Sequence, residues 1–211
     1  MSSKIIRIVK NNYKSGCKVY FENGEIIDLN TDLIVKYQFK TDLSISENQL
    51  QSILDEQSYI DAAAYSHRLL NIRLRTEREL FQKLYQKEYS KEISLKVINK
   101  LKEDNFINDK IFAEQYSENL RTIKKYGESR IRLELMKKGV SDDIISEILS
   151  NNTGNDDDEY SNAFGLAEKK LKLISKKSKD KKINSLLLFL KNKGFSSEIS
   201  YKVIKNLLIS E

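Results

Sequence analysis

The sequence contains no proline, and it has only seven glycines in 211 residues. Proline breaks helices and glycine forms many of the turns of large sheets, so their scarcity favours long helices joined by polar turns. The single cysteine, Cys17, excludes an intramolecular disulfide, and no cysteine or histidine cluster has the spacing of a zinc site. These absences predict a mainly helical protein of a reducing compartment.

Long hydrophobic runs are also absent. The longest, Leu186–Leu190, is far below the roughly 18 residues that a membrane span needs. The apolar residues near the N-terminus are too few, and too interrupted by Arg7, to form a signal peptide. We therefore expect a cytoplasmic protein with no membrane partner.

Few residues could support catalysis. His67 is the only histidine, so histidine-based catalysis would need it to meet Cys17, and no glycine-rich phosphate loop occurs. The dense acidic cluster at residues 156–159 has the chemistry to hold Mg²⁺, but we interpret it as part of a solvated linker. The sequence predicts a protein that is not an enzyme and has no cofactor and no metal.

Charged residues are abundant. They make up 32% of the chain, hydrophobic residues make up 39%, and lysine plus arginine exceed aspartate plus glutamate by 37 to 31. The net charge of +6 favours an acidic partner, either nucleic acid or an acidic protein surface.

Residues 1–57 differ from the rest of the chain. Asn23-Gly24 separates segments rich in β-branched and aromatic residues, which indicates a β-hairpin closed by a type I′ turn with positive φ at both residues. A third strand is possible. Residues 30–56 then have helical apolar spacing, interrupted by a polar turn at Thr41–Ser46. We predict a small hairpin extension that packs on short helices.

The rest of the chain is a threefold repeat, which appears when Ser90, Ser141 and Ser196 are aligned. Aliphatic residues recur at the same offsets before and after each serine, with the spacing of two successive buried helix faces. The equivalent positions before the serine hold Leu80, Ile131 and Leu186, then Leu84, Leu135 and Leu190; those after it hold Ile93, Ile144 and Ile199, then Val97-Ile98, Ile148-Leu149 and Val203-Ile204.

Each aligned serine is expected to cap a helix, because its hydroxyl can accept a hydrogen bond from a free backbone N–H. Just before two of the serines, Gly139 and Gly194 stand where a helix end favours a left-handed residue. Glu88 occupies that position in the first repeat, so a different turn is possible there.

Another helix precedes each pair, at Tyr59–Leu70, Asp109–Ile123 and about residues 159–174. Its expected apolar face holds Ala63/Ala64, then Phe112, Ala113 and Tyr116, then Ala163, Phe164 and Ala167. The predicted repeats are residues 58–107, 108–152 and 153–211, with a polar linker at Asn151–Asp158. We expect these tandem three-helix repeats to stack into an elongated, curved array, and the protein to be a monomer.

Basic residues cluster around the turn between the first and second helices of each repeat. Recurrence at one place would align the clusters along one edge and form a positive stripe. The alternative is that lysines only solvate exposed turns. The first group is Arg68, Arg73, Arg75, Arg78 and Lys83; the second is Arg121, Lys124, Lys125, Arg130 and Arg132; the third is Lys169, Lys170, Lys172, Lys176, Lys177, Lys179, Lys181 and Lys182.

Two other patterns near these groups are interpreted as structural. Thr76 and Glu79 fit a capping box, in which each residue bonds the other's backbone N–H. Four tyrosines could stack on nucleic-acid bases, but their helical spacing favours packing between helices. They are Tyr85, Tyr89, Tyr116 and Tyr126.

Two stretches carry a family resemblance: residues 73–84 (RLRTERELFQKL) and residues 105–116 (NFINDKIFAEQY). Together with Arg121, residues 126–135 (YGESRIRLEL) and Lys138-Gly139-Val140, they resemble the motifs of the RecX family of recombinase regulators. The resemblance is clear over about residues 60–150 and weaker over residues 157–208. It implies tandem three-helix repeats, which agrees with the repeat found above.

The resemblance also implies a function. A RecX protein is expected to bind the RecA recombinase and limit its filament on single-stranded DNA, which lowers ATP hydrolysis, strand exchange and co-protease activity. The matched motif positions are interpreted as mostly structural, with Asp109 as a helix cap. The solvent-facing arginines Arg73, Arg75, Arg121 and Arg130 are the candidates for contact. The alternative function is sequence-independent binding of single-stranded nucleic acid.

Overall fold

The structure, a computed structural model, describes residues 2–11, 16–151, 156–176 and 178–209. Over these ranges it contains four strands and ten helices. The chain forms two compact units. The N-terminal unit comprises Met1–Arg73 and Phe81–Asp104, and the C-terminal unit comprises Leu74–Leu80 and Asn105–Glu211.

The N-terminal unit begins with a small antiparallel sheet. Its strands, in the spatial order β3-β2-β1-β4, are β1 (Ser2–Lys10), β2 (Gly16–Phe21), β3 (Ile26–Asn30) and β4 (Ser44–Ser46). Alternate residues of β2 and β3 are buried, so one face of the sheet forms a core with the two helices that follow. The predicted hairpin extension is confirmed.

The hairpin turn differs from the predicted type I′ turn. Gly24 has φ +85°, but Asn23 is not in the left-handed region. Phe21 N donates to Glu25 O at 2.9 Å, and Gly24 N donates to Phe21 O at 3.0 Å, which leaves a three-residue loop. Loops of that length need only one left-handed residue, so the prediction for Asn23 was wrong.

The segment between residues 30 and 56 also differs from its prediction. Helix α1 covers only Thr31–Lys36, and the expected polar turn contains β4, which pairs with the first residues of β1. Helix α2 then runs without interruption over Glu47–Ile72, across the predicted boundary at residue 57. A complete capping box between Ser46 and Gln49 starts it, and no proline or glycine interrupts it.

Three sets of three helices follow in tandem, as predicted. The first repeat consists of α2 with α3 and α4, the second of α5, α6 and α7, and the third of α8, α9 and α10. Their bounds are α3 Glu77–Tyr85, α4 Lys91–Glu103, α5 Asp109–Thr122, α6 Glu128–Lys138, α7 Asp142–Asn151, α8 Asp156–Leu173, α9 Lys179–Lys193 and α10 Ser197–Ile209.

The predicted linker Asn151–Asp158 is largely helical where it is described. Asn151 ends α7, residues 156–158 begin α8, and residues 152–155 lie outside the described ranges. Acidic side chains in a first helical turn interact favourably with the positive end of the helix dipole. The acidic residues 156–158, which we interpreted as part of a linker, therefore form the start of α8.

The buried faces follow the repeat. The aligned aliphatic residues of each second helix, from Leu80 to Leu190, are at most 1% exposed, and Val97, Ile148 and Val203 of the third helices are buried too. In the first helices, Ala113 and Ala163 are buried as predicted. In α2 the buried alanine is Ala62, whereas Ala63 is half-buried and Ala64 is exposed, so the face predicted from Ala63/Ala64 was wrong by one position.

The helix caps also repeat. The hydroxyls of Ser90 and Ser196 accept hydrogen bonds from Ile93 N and Ile199 N, as predicted, and the carbonyl of Ser141 accepts the first bond of α7. Glu88 has φ +64°, in the same left-handed region as Gly139 and Gly194. The first repeat therefore keeps the turn of the other two despite lacking the glycine.

Candidate partner-binding surface

The first turn of α3 packs against the end of α6 in the C-terminal unit. The Thr76 hydroxyl donates to Lys138 O at 2.6 Å and accepts from Glu79 N at 3.1 Å, and Thr76 is fully buried. Lys138 Nζ lies 2.6 Å from Glu79 Oε1. Any side chain on Gly139 would collide with Arg78. We call these contacts the α3–α6 joint.

Asp109 belongs to the same region. Its Oδ1 accepts from Glu77 N at 2.9 Å, so it caps α3. Its own helix, α5, is capped by Asn108, which accepts from Lys110 N and Ile111 N. The prediction that Asp109 caps a helix is confirmed, although the helix is in another repeat.

The start of α6 meets the end of α9 in an equivalent way, which we call the α6–α9 joint. Gly127 N donates to Lys193 O at 3.0 Å, and Ser129 N donates to Gly194 O at 3.2 Å. A Cβ on Gly127 would lie 2.5 Å from the Gly194 oxygen. Lys193 Nζ lies 5.1 Å from the centre of the Tyr126 ring, a cation–π contact.

The two joints use matching positions of the repeat. Thr76 and Gly127 occupy the same place relative to their aligned serines, and so do Lys138 and Lys193. In both joints, groups at the start of one helix hydrogen-bond the free carbonyls at the end of another. Much of the motif between Thr76 and Leu80 and between Tyr126 and Leu135 therefore serves contacts between helices.

The first basic group is divided between the two units. Arg68 and Arg73 are exposed, Lys83 is half-buried and donates to Gln86 Oε1 at 3.0 Å, and all three belong to the N-terminal unit. Arg75 is half-buried and Arg78 is exposed, and both belong to the C-terminal unit.

The second group contains two kinds of cation. Lys124 and Lys125 are exposed. The Arg121 side chain is only 18% exposed, and Arg130 is 2.9 Å from Glu134 and lies over the Tyr126 ring. Arg132 is half-buried, 3.5 Å from Ser146 Oγ.

The description of four arginines as solvent-facing therefore holds only for Arg73. Arg75, Arg121 and Arg130 are half-buried. Their role in binding stays a prediction, as does that of the other residues in the two groups.

Most lysines of the third group are exposed. Lys172 pairs with Glu168 at 3.2 Å, and Lys170 lies 5.7 Å from the centre of the Phe189 ring. Lys177 lies outside the described residues. The exposed members are Lys169, Lys172, Lys176, Lys179 and Lys181.

The tyrosines are mainly packing residues. Tyr116 stacks on Phe112 with ring centres 5.4 Å apart, and Tyr126 lies within the α6–α9 joint. Burial raises the pKa of Tyr89, which is half-buried. Tyr85 is the exception, because it is 69% exposed.

Three exposed aliphatic residues beside the basic groups were not predicted from the sequence. Ile72, Ile123 and Leu173, at the ends of the first helices, are 75%, 68% and 81% exposed. The only available signal was their position, which lies off the buried alanine face of each helix.

No helix in the described ranges is long and apolar enough to cross a bilayer.

The architecture defines the class: a helical repeat protein in which three three-helix domains follow a small sheet. Models of the RecX family's first, second and third three-helix domains match residues 62–101, 108–149 and 156–204. The chain is 33% identical to the regulatory protein RecX of Clostridium tetani over 99% of this chain and 96% of that protein. The chain belongs to the RecX family.

Other relatives agree. The regulatory protein RecX of Clostridium perfringens is 31% identical over 92% of this chain and 90% of its own length. A crystal structure of RecX from Lactobacillus salivarius has a TM-score of 0.65 and 30% identity, covering 72% of this chain and 97% of that one. A crystal structure of a regulatory protein RecX has a TM-score of 0.75 at 21% identity. The match covers 97% of this chain and 99% of that one, and it supports the fold.

Proposed function

We propose that this RecX-family protein binds the RecA filament on single-stranded DNA and inhibits its recombinase, ATPase and co-protease activities. It would thereby limit recombination, DNA repair and the SOS response in the cytoplasm. The observation that carries the proposal is that exposed cations recur around the turn between the first and second helices of each of the three tandem repeats. A filament offers many equal sites in series, so several modest contacts can add up to high affinity.

The test is RecA-catalysed ATP hydrolysis on single-stranded DNA. Adding the protein to preformed filaments should lower the hydrolysis rate as it approaches stoichiometric amounts. An unchanged rate at a several-fold excess of the protein would contradict the proposal.

The structure guides the choice of variants. Reversing Arg121 and Arg130 would damage packing, because both are half-buried and paired with glutamates. Arg73→Glu combined with Lys124→Glu and Lys125→Glu changes exposed cations instead, and should weaken inhibition at least about tenfold. The matched control reverses three exposed lysines outside the groups, Lys18, Lys40 and Lys205, and should inhibit like the parent protein.

Direct binding of single-stranded nucleic acid is the second candidate. The net charge of +6 and the exposed lysines of the third group favour it. Affinity for bare single strands should then fall with salt by about 0.7 in log–log slope for each phosphate neutralised. Weak, nearly salt-independent binding would exclude this function.

A further inference from the structure

The exposed aliphatic residues Ile72, Ile123 and Leu173 occupy one position of the repeat. Each stands at the same distance after a fully buried alanine of its helix. Ile72 and Ile123 also match when the repeats are aligned on Ser90 and Ser141. The alanines in question are Ala62, Ala113 and Ala163, each ten residues before its aliphatic residue; Ala167 of α8 is fully buried as well.

Folding does not account for these three side chains. An apolar residue near a helix end usually packs against the preceding turn, but exposures of 68–81% leave each side chain largely in water. Single exposed apolar residues are common on protein surfaces. Recurrence at the same place in every repeat, with an aliphatic residue each time, is not the pattern of chance exposure.

Each aliphatic residue lies beside two cations in the chain. Ile72 is followed by Arg73 and Arg75, and Ile123 by Lys124 and Lys125. Leu173 stands between Lys172 and Lys176, both exposed. At the end of each first helix, an exposed aliphatic side chain therefore has cationic residues close to it in the sequence. We call the side chains of Ile72, Ile123 and Leu173 the apolar tips.

This chemistry fits a protein rather than a nucleic acid. Single strands are bound by aromatic stacking and phosphate contacts, and an aliphatic tip offers neither. An apolar hollow flanked by carboxylates would accept both the tip and its cations. Three similar tips in one chain match a partner that repeats the same hollow along its length.

We propose that Ile72, Ile123 and Leu173 are apolar anchors that insert into equivalent acidic-rimmed hollows on successive subunits of a protein filament. This inference rests on the proposed function, in which that filament is RecA on single-stranded DNA. It adds that burial of aliphatic side chains, as well as charge, holds the protein there.

The experiment measures binding of labelled protein to preformed RecA filaments on single-stranded DNA. The variant Ile72→Ser/Ile123→Ser/Leu173→Ser should bind about 1000-fold more weakly, since burial of each side chain contributes about tenfold and the three contributions multiply. Each single variant should weaken binding about tenfold. The salt dependence should be unchanged, because every cation remains.

The matched control replaces three other exposed aliphatics, Ile26, Val35 and Leu188, with serine. It should bind like the parent protein, and both triple variants should keep the parent's urea midpoint. Equal filament affinity of the anchor variant and the parent would overturn the inference. So would an equal loss of affinity for bare single strands, since the tips would then contact nucleic acid. A parent protein that does not bind filaments at all would instead reject the proposed function.

Discussion

Gly165 lies in the middle of α8, and no atom of the described residues lies within 4 Å of where its Cβ would project. Glycine inside a helix is less favourable than alanine by about 0.5–1 kcal/mol, because it loses more backbone freedom on folding. Gly165→Ala should therefore raise the free energy of unfolding by that amount, as measured by urea titration.

The matched comparison is Gly127→Ala. Its new Cβ would meet the Gly194 carbonyl, which is backbone and cannot move aside easily. We expect a loss of about 1–3 kcal/mol. If the two alanines had equal effects, the close approach in the α6–α9 joint would be wrong.

Glu88 tests the energetic cost of backbone conformation, because it has a left-handed backbone conformation although it is not a glycine. A side chain in this conformation costs about 1 kcal/mol. Glu88→Gly should raise the free energy of unfolding by about that amount, again by urea titration. Glu88→Ala keeps the unfavourable conformation and should change little; a gain from alanine as large as from glycine would attribute the effect to the lost charge instead.

At the scale of elements, α1 is tied to α2 through Glu56. Lys36 Nζ lies 2.6 Å from its Oε1, and the Tyr37 hydroxyl donates to its Oε2 at 2.8 Å. The hydrogen bond from Lys36, and to a smaller extent that from Tyr37, hold the pKa of the Glu56 carboxyl below its ordinary value. The stabilisation is complete above the unfolded pKa of about 4.3 and is lost as the pH falls through the lowered folded pKa.

Glu56→Gln should therefore lower the urea midpoint at neutral pH, and its difference from the parent should shrink as the pH falls below about 4.3 and through the lowered folded pKa. Glu22→Gln, which removes an exposed carboxylate from the hairpin turn, is the control and should lower the urea midpoint at neutral pH less than Glu56→Gln does. A gap between Glu56→Gln and the parent that stays constant with pH would contradict this account.

One hydroxyl, that of Thr76, makes two hydrogen bonds of the α3–α6 joint. Thr76→Val keeps the shape but leaves Lys138 O and Glu79 N without that partner, which should lower the free energy of unfolding by about 1–3 kcal/mol. Thr122→Val removes a hydroxyl that bonds Glu118 O at an exposed site. Its effect should stay below about 0.5 kcal/mol, and equal losses would mean that the joint contributes nothing special.

Much of the element scale was predictable. The three-helix repeats were found because periodicity and serine caps are local patterns. The continuity of α2 and the strand at Ser44–Ser46 were not, because β4 forms only by pairing with residues distant in the chain. Likewise, the left-handed turn at Glu88 is imposed by the flanking helices against the residue's own preference.

At the scale of the molecule, the third repeat stabilises the second. A chain ending at Asn151 would leave Gly127 N and Ser129 N without the Lys193 and Gly194 carbonyls. Because stability in repeat proteins includes a term for each neighbouring interface, the remaining chain should unfold at lower urea. Hydrogen exchange at the Gly127 and Ser129 amides should accelerate most; unchanged protection there would contradict the joint.

The surface was only partly predictable. Charge clustering around the helix turns is visible in the sequence, but the half-burial of Arg121 and Arg130 depends on the residues that pack beside them. The exposed tips at Ile72, Ile123 and Leu173 were missed because an aliphatic residue in a helix is ordinarily assigned to the core.

The sequence by itself determined the repeated three-helix plan, the cap positions, the basic groups and the family, since each is a pattern of neighbours along the chain. Tertiary structure alone decided which cations are exposed and which contact neighbouring helices. It also turned Asp109 and Thr76 into caps and bridges for helices of other repeats. Burial and hydrogen bonding between distant segments depend on packing, which no local pattern specifies.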